Sequence, residues 1–303
     1  MQIPKELPSI SWQVDEPTYR ADPALSYSTL ARFEREGFNK LDHLFDPIST
    51  QSLLEGSMVD CLITGSKEEF DNLYYVADFP SIGDKEQQIV LTLYDKLHTK
   101  CPQFSFIPYE EILGTIYEFD WQKNWRDDTR VRVLSERIST YYNLKIQAGN
   151  KTVVDSDTYN HVSNMVQALK SSLATQGYFA DNDPMSPVKR YYQLKFRTKF
   201  EGVCYRCMAD LIIVDYEEKK VYPIDLKTSG HKEWDFQDSF EQWSYMIQAR
   251  LYWRILKANL SNDSYFKDFT LEDYRFIVVN KDSLTPLVWE FPLTRTEGTL
   301  IDK

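Results

Sequence analysis

The chain has 303 residues, enough for one large domain or two small ones. Hydrophobic residues make up 42% and aromatic residues 15% of the sequence, which is ample for a packed core and excludes a disordered chain. The net charge of −11 argues against a protein that binds nucleic acid through a generally basic surface. A bound divalent cation or a local basic track would still allow it to act on phosphates.

Two other groups of functions lack support in the sequence. No apolar run approaches the length of a membrane span, and residues 1–17 lack the basic-then-apolar order of a signal peptide. The phosphate loops GxxxxGKS/T and GxGxxG are absent, as are HExxH and GxSxG. We therefore expect a cytoplasmic protein with no membrane association, and neither a nucleotide-driven motor nor a serine hydrolase.

The first 180 residues predict an arm followed by a mainly helical region. Residues 1–25 contain several prolines and little periodicity, which indicates an extended arm. A helix then begins near Ser26 or Ser28, each a suitable N-cap. We assign residues 26–180 to a helical region that packs on the core.

One predicted helix of this region carries a carboxylate in an apolar setting. Residues 51–65 form an apolar side that includes Met58 and Leu62, and Asp60 lies between these two residues in the sequence. Further along, residues 103–147 combine arginine with tryptophan. That composition suits either a grip on a DNA strand or amphipathic helices packed on a core.

Residues 181–303 predict the core domain. The pattern indicates three strands, a helix and two final strands, over residues 189–200, 203–214, 220–227, 236–258, 274–279 and 287–291. Strands mixed with helices in this order predict an α/β fold, with a central mixed sheet flanked by helices.

The second and third of these strands bring charged residues together. Asp225 and Lys227 are two residues apart in a strand, so both side chains project from the same face. Asp210 lies in the neighbouring strand, and its carboxylate can reach the same point. Two aspartates with a lysine beside them form a site for a hard cation, which is the chemistry of metal-assisted phosphodiester hydrolysis. The structural alternative is that the aspartates end strands and Lys227 simply pairs with one of them.

The helix after these strands adds Gln248 and Tyr252, which are four apart and lie on one helix face. Asp210, then Asp225-Leu226-Lys227, then Gln248-x-x-x-Tyr252 resembles the PD-(D/E)XK nuclease superfamily. The ordered combination is similar to its RecB-type branch, which includes the RecE-like exonucleases of phages and prophages. The resemblance implies a restriction-endonuclease-like core.

The resemblance also implies a role for each residue. Asp210 and Asp225 would hold one or two Mg²⁺ or Mn²⁺ ions, with the carbonyl of Leu226 as an extra ligand. Lys227 would orient the attacking water or stabilise developing charge. Gln248 and Tyr252 would support the site and contact the DNA backbone.

The first helix departs from the family pattern. RecB-type nucleases usually carry Gly-x-x-x-His there, with the histidine bound to the metal, whereas this chain has Gly56 followed by Asp60. Aspartate suits Mg²⁺ or Mn²⁺, so we expect Asp60 to be a metal ligand, with Glu55 a lesser candidate. The alternative is an exposed helix aspartate in a degenerate site.

The RecE-like branch further implies an exonuclease that digests DNA from duplex ends, in phage-type recombination or repair. It also implies a single-strand annealing protein as partner and a homo-oligomer. Exonuclease is favoured over endonuclease. The competing hypothesis is a catalytically decayed nuclease fold that binds DNA or protein, motivated by Asp60 and the acidic net charge.

Several residues are candidates for contacts with nucleic acid. Lys195, Arg197 and Lys199 share one face of the first predicted strand, and the alternative is a solvated edge-strand face. Ser229 and His231 lie in the loop after Lys227, where His231 is either a phosphate contact or an exposed loop histidine.

The Cys-x-x-Cys formed by Cys204 and Cys207 suggests zinc, an iron–sulfur cluster or redox chemistry. Both residues lie in one predicted strand, where residues three apart face opposite sides. We therefore interpret them as structural thiols.

Overall fold

The computed structural model describes residues 5–45 and 50–293. The chain divides into two compact units. The sheet unit contains residues 1–49, 55–64 and 164–303, and the helical unit contains residues 50–54 and 65–163. In the described ranges, no helix is both long enough and apolar enough to cross a membrane.

The helices are α1 (Glu16–Ala21), α2 (Tyr27–Glu36), α3 (Gln51–Thr64), α4 (Lys67–Leu73), α5 (Asp84–Leu97), α6 (Tyr109–Glu118), α7 (Asp127–Ala148), α8 (Ser156–Ser171), α9 (Phe236–Gln242) and α10 (Tyr245–Ser261). The strands are β1 (Tyr74–Val76), β2 (Thr152–Val154), β3 (Val188–Phe200), β4 (Val203–Asp215), β5 (Lys220–Ser229), β6 (Thr270–Leu271), β7 (Tyr274–Asn280) and β8 (Pro286–Phe291).

The sheet unit is built on a six-stranded sheet. Its order is β3-β4-β5-β7-β8, and the short β6 also pairs with β5. The pairs β3–β4, β4–β5 and β7–β8 are antiparallel, whereas β5 is parallel to both β6 and β7. The parallel step requires a long connection, which α9 and α10 supply. The predicted α/β class with a central mixed sheet is confirmed.

The register of β3 against β4 is fixed by a two-residue turn. Glu201 and Gly202 both adopt positive φ, at 48° and 85°, and Phe200 pairs with Val203 across them. Two consecutive left-handed residues match the twist of the flanking strands, which is why such turns favour glycine. Counting outward from this turn therefore defines the residue opposite each position of β4.

The core of the sheet unit lies between the sheet and α10. Ala249, Ile255 and Leu256 of α10 are buried, and they pack with buried residues of the central strands such as Val221 and Phe276. Burial of this apolar surface fixes the rotation of α10, so the polar residues on the same side of the helix are held against the sheet.

The predicted single helix over residues 236–258 is wrong. The chain forms α9 and α10, separated at Trp243 and Ser244, and Ser244 is left-handed with φ 54° and ψ 41°. The break resets the helical phase, so Trp243 is 43% exposed instead of lying on the buried side. Tyr245, the first residue of α10, is brought to the sheet by the same break.

The predicted arm and helical region are divided differently by the structure. Residues 26–49 and 164–180 group with the sheet, and so does the second part of α3. The first residues form α1 and pair with the sheet: the Trp12 amide donates to the Lys195 carbonyl, and Leu25 bridges Tyr205. These backbone hydrogen bonds are long-range, so local sequence patterns do not reveal them.

The helical unit has its own core, formed mainly by α5, α6 and α7. It also contains a two-stranded parallel sheet of β1 and β2 that was not predicted. Arg130 is 2% exposed and donates to the carbonyls of Trp121 and Ile116, and Trp121 is also buried. For these two residues, packing inside the unit is the correct alternative, because neither is accessible to a DNA strand.

Candidate active site

The candidate site lies where β4 and β5 separate. Their ladder ends at the pair Leu211 and Ile224, and the next positions in register are Asp210 and Asp225. Instead of a backbone pair at this point, the Leu226 amide donates to Oδ2 of Asp210 at 2.9 Å. The Asp210 side chain thus takes over the role of the missing backbone acceptor.

The other side of β4 is open at the same residue. Tyr192 pairs with Leu211 and Leu194 pairs with Ala209, but the intervening positions Gln193 and Asp210 do not pair. Gln193 is left-handed, with φ 52°, in the middle of a strand. Asp210 therefore lies between Gln193 on β3 and Asp225 on β5. At this row, β4 pairs with neither of the two neighbouring strands.

Asp225 is held from two directions. It is 1% exposed, Lys227 forms an ion pair with its Oδ2, and Nε2 of Gln248 donates to its Oδ1 at 2.5 Å. The shared strand face of Asp225 and Lys227 is thus confirmed. The helix residue Gln248 meets them, as the spacing predicted.

A cavity of about 220 Å³ contains these groups. All seven residues predicted from the D-x-K and Q-x-x-x-Y pattern and from the first helix line it, namely Asp60, Asp210, Asp225, Leu226, Lys227, Gln248 and Tyr252. Sequence analysis did not identify its other lining residues, namely Tyr19, Arg20, Ser26, Tyr27, Ser28, Gln193, Arg206 and Met208.

Crowding of carboxylates shifts their ionisation. Burial is the main cause that raises the pKa of Asp60 well above its ordinary range, and Asp210 and Asp225 add to the shift. Burial also raises the pKa of Asp225 to about 8, with Asp210 acting in the same direction and Lys227 opposing it. Each shift records a cost of placing negative charge here, which a cation would relieve.

Lys227 keeps its positive charge in this setting. Burial alone would lower its pKa, but Asp225, Tyr245 and Asp210 raise it above the ordinary value. The ammonium also lies 5.1 Å from the centre of the Tyr245 ring, within the range of a cation–π contact. The lysine can therefore act as a fixed positive charge beside the carboxylates.

The helix α3 presents Asp60 to the cavity. A Cβ atom added at Gly56 would lie 3.9 Å from Oγ1 of Thr228, so α3 passes close to the end of β5 there. Glu55, the residue before Gly56, forms an ion pair with Lys281 at 2.7 Å, and both side chains are largely buried. Glu55 thus serves to fix α3, and Asp60 is the α3 carboxylate that lines the cavity.

The donor set is suited to Mg²⁺ or Mn²⁺ but is not arranged around one point. Within the described residues, no group of three or more His, Cys, Asp or Glu side chains could hold a metal ion as it stands. However, Oε1 of Gln248 is buried without a hydrogen-bond partner next to Asp225. A buried acceptor without a partner is costly, and a cation or its bound water would satisfy it. The residues present therefore fit a hard cation chemically.

Tyr252 lies one turn beyond Gln248 on the same helix face and is also buried. It is 8% exposed and packs edge-on against Tyr274, with ring centres 6.5 Å apart. Burial raises the pKa of its hydroxyl well above the ordinary value, so it remains protonated. This position suits a supporting role beneath the cavity, and a contact with DNA stays a prediction.

The predicted nucleic-acid contacts fare differently. Lys195 donates to the Val14 carbonyl, and Arg197 pairs with Asp22 and lies 5.5 Å from the Trp12 ring. The N-terminal segment therefore engages both side chains, and their contact with nucleic acid stays a prediction. Lys199 is exposed and stays a candidate.

The other two candidates lie at the end of β5 and in the loop after it. Ser229 is 6% exposed, and its hydroxyl bonds with the His231 amide and Ser239, so its contact with nucleic acid stays a prediction that this burial does not favour. His231 is exposed, but it borders a separate small pocket with Asn280 and not the cavity of the aspartates. The exposed-loop alternative for His231 fits this placement.

The cysteines are all free thiols. Cys207 is buried, which raises the pKa of its thiol, and Cys204 is partly buried. Burial and a raised pKa make the Cys207 thiol a poor nucleophile, in agreement with a structural role.

One of the missed residues could have been found from the sequence. The turn at Glu201 and Gly202 fixes the β3–β4 register, and counting back from Asp210 gives Gln193 as the opposite residue. Arg206 lies four residues before Asp210 on β4; its Nε and Nη2 donate to the carbonyls of Ala24 and Arg20, and its Nη1 is buried without a partner. No local pattern encodes those contacts.

Comparison with known proteins adds little to this geometry. No protein-family model matches the chain, and no curated protein matches it. A crystal structure of a "putative exonuclease" from Eubacterium rectale is similar to 93% of this chain and 78% of its own, with 13% identity and a TM-score of 0.44. At this level of similarity the match assigns no function.

Proposed function

We propose that this protein is a metal-dependent nuclease that hydrolyses phosphodiester bonds in DNA, acting from duplex ends as an exonuclease. The observation that carries the proposal is the convergence of Asp210, Asp225, Lys227 and Gln248 at the fork between β4 and β5. Buried carboxylates are costly, and a fold that needed only stability would have apolar side chains at these positions.

Asp60, Asp210 and Asp225 would hold one or two Mg²⁺ or Mn²⁺ ions, with the Leu226 carbonyl and the unpaired Oε1 of Gln248 as further oxygen atoms. The bound metal would lower the pKa of a water molecule and neutralise charge on the phosphate.

The other side chains would act on the substrate and on the carboxylates. Lys227 keeps its charge and lies against Asp225, so it can place a positive charge beside the scissile phosphate or orient the attacking water. Gln248 fixes Asp225 through Oδ1, and Tyr252 supports that contact from below. The pair acts by orienting the carboxylate before substrate arrives.

The finer proposal is an enzyme of phage-type recombination or repair in the cytoplasm. A single-strand annealing protein would be its partner, and a homo-oligomer its assembled form. The recombination role, the partner and the oligomer follow from the resemblance in the D-x-K and Q-x-x-x-Y residues alone, whereas the cytoplasmic location does not depend on that pattern.

A non-catalytic binding module is the second candidate. The observation that favours it is that both oxygens of Asp225 are engaged by protein groups, Lys227 and Gln248. In this alternative the ion pair would be the final state of the site, and the cavity would bind a phosphate group without cleaving it.

The test is digestion of end-labelled linear DNA and of a closed circle, with Mg²⁺ or Mn²⁺. We expect wild type to degrade only the linear substrate and Lys227→Ala to lose this activity. The matched control is Lys220→Ala, because Lys220 begins the same strand but forms an exposed ion pair with Glu272. Cutting of the circle would assign an endonuclease. No cleavage of either DNA by wild type would reject catalysis and favour the binding module.

A further inference from the structure

Gln193 is a backbone outlier in the middle of a strand. Its φ of 52° places a non-glycine residue in the left-handed region, which is unfavourable relative to an extended conformation. The other left-handed non-glycine residues of the sheet, Glu201, Lys219 and Leu284, lie in the connections between antiparallel strands, where the chain reverses and such a conformation is needed. Gln193 has no turn to form.

The outlier does not change the strand register. Pairs before and after it, Tyr192 with Leu211 and Leu194 with Ala209, follow one register without an inserted residue. A β-bulge is therefore not the reason for the conformation. The left-handed conformation of Gln193 coincides with the missing pair between Gln193 and Asp210, at the point where the carboxylates of the site converge.

The side chain of Gln193 is available in the cavity. Gln193 lines the same cavity as Asp210 and Asp225 and is partly exposed. Within residues 5–45 and 50–293, its amide forms no hydrogen bond. An amide supplies both donors and an acceptor, and the donors suit a phosphate oxygen.

We propose that Gln193 is a substrate-contacting residue of this site. Its left-handed backbone keeps the β3–β4 ladder open at Asp210, and its amide donates to a non-bridging oxygen of the bound phosphodiester. Strain that persists at one point of a sheet, beside a functional cavity, is expected where function requires the geometry. This inference rests on the proposed nuclease function, and it adds a residue on β3 to those on β4, β5 and α10.

The test uses two substitutions that separate backbone from amide. Gln193→Gly accepts the left-handed backbone and removes the amide, whereas Gln193→Asn also tolerates that backbone and retains a shorter amide. The control is Lys219→Gly, because Lys219 has the same φ of 52° but is an exposed residue of the β4–β5 turn.

The first readout is binding of a fluorescent duplex oligonucleotide in the presence of Ca²⁺, with thermal unfolding measured in parallel. We expect Gln193→Gly to weaken binding at least fivefold while its Tm stays at or above the wild-type value. Gln193→Asn should bind within threefold of wild type. Lys219→Gly should have the same Tm as Gln193→Gly. It should bind the duplex as tightly as wild type.

Unchanged binding by Gln193→Gly would overturn the role of Gln193 and leave the proposed function intact, provided that wild type cleaves DNA. Weak binding together with a Tm several degrees below wild type would also overturn it, because the residue would then serve stability. Wild type that neither binds nor cleaves DNA would reject the proposed function and this inference together.

Discussion

The two units of the molecule treat buried polar groups in opposite ways. In the helical unit, Arg130 donates to two carbonyls and Lys145 donates to the Lys151 carbonyl, so that these buried cations are paired. In the sheet unit, Nη1 of Arg206, Oε1 of Gln248 and the Tyr274 hydroxyl are buried without partners. No other side-chain atom within residues 5–45 and 50–293 is buried in this unpaired state.

The difference separates groups that stabilise a fold from groups that serve a site. A paired buried cation replaces its hydration with protein contacts, whereas an unpaired buried group keeps the cost of its lost hydration. Two of the three unpaired atoms, those of Gln248 and Arg206, belong to residues that line the carboxylate cavity. Local violations of good packing are expected at functional sites, where a ligand supplies what the chain lacks.

The largest effect is expected from Asp225→Asn. The substitution removes one carboxylate charge at nearly constant volume, and we expect DNA cleavage to fall at least about 1,000-fold, or ~4 kcal/mol. The metal-free Tm should change by no more than about 3 °C, because loss of the ion pair with Lys227 is offset by removal of a buried negative charge. Rate measurements and thermal unfolding on the same preparation check both. A Tm lowered by about ten degrees would show that Asp225 stabilises the fold, which would contradict the distinction drawn between stabilising groups and groups that serve the site.

Asp60→Ala comes next. Asp60 lines the cavity from α3, and we expect its loss to reduce cleavage about 100-fold, or ~2.7 kcal/mol. Ser57→Ala, an exposed position on the same helix, is the control and should retain full activity. Near-normal cleavage by Asp60→Ala would show that Asp60 is not a metal ligand.

In the helical unit the same kind of change should act on stability. Arg130→Met leaves two buried carbonyls without their donor, and we expect a loss of about 2–3 kcal/mol in the free energy of unfolding. Arg132→Met on the same helix is the control, because its ion pair with Glu136 is exposed and worth at most about 0.5 kcal/mol. Equal denaturant midpoints for the two variants would contradict the assigned role of Arg130.

The last prediction concerns pH. The pKa values of Asp60 and Asp225 are raised above the ordinary value of 3.8, that of Asp225 to about 8, so the folded protein retains protons that the unfolded chain releases. Stability of the metal-free protein should therefore fall as pH rises from 5 to 8, with a limit of about 1.4 kcal/mol per pH unit for each group. Chemical denaturation at several pH values in this range should show that the free energy of unfolding falls less steeply with pH for Asp225→Asn than for wild type. A stability that rises with pH in wild type and variant alike would contradict the raised values.

The elements that were predicted correctly are those that local sequence patterns determine. Two short apolar runs joined by a charged turn predicted β4 and β5 with their ends nearly correct, and this placed Asp210, Asp225 and Lys227 together. The four-residue spacing on a helix predicted that Gln248 and Tyr252 share a face.

Two kinds of feature were missed, namely contacts between residues distant in sequence and left-handed residues other than glycine. Engagement of Lys195 and Arg197 by the N-terminal segment depends on hydrogen bonds and ion pairs with residues 14 and 22. The break at Ser244 is a single left-handed residue without glycine or proline to announce it. Gln193 required the strand register, which only becomes useful once the turn at Glu201 is recognised.

The most direct test of the central claim is calorimetric titration of the metal-free protein with Mn²⁺, for wild type and Asp225→Asn. The account predicts that wild type binds Mn²⁺ and gains Tm with rising metal concentration, because a ligand that binds only the folded state stabilises it. Asp225→Asn should show neither heat of binding nor a gain in Tm. Wild type that takes up no Mn²⁺ at millimolar concentration would contradict the claim that the row of aspartates at the β4–β5 fork is a cation site.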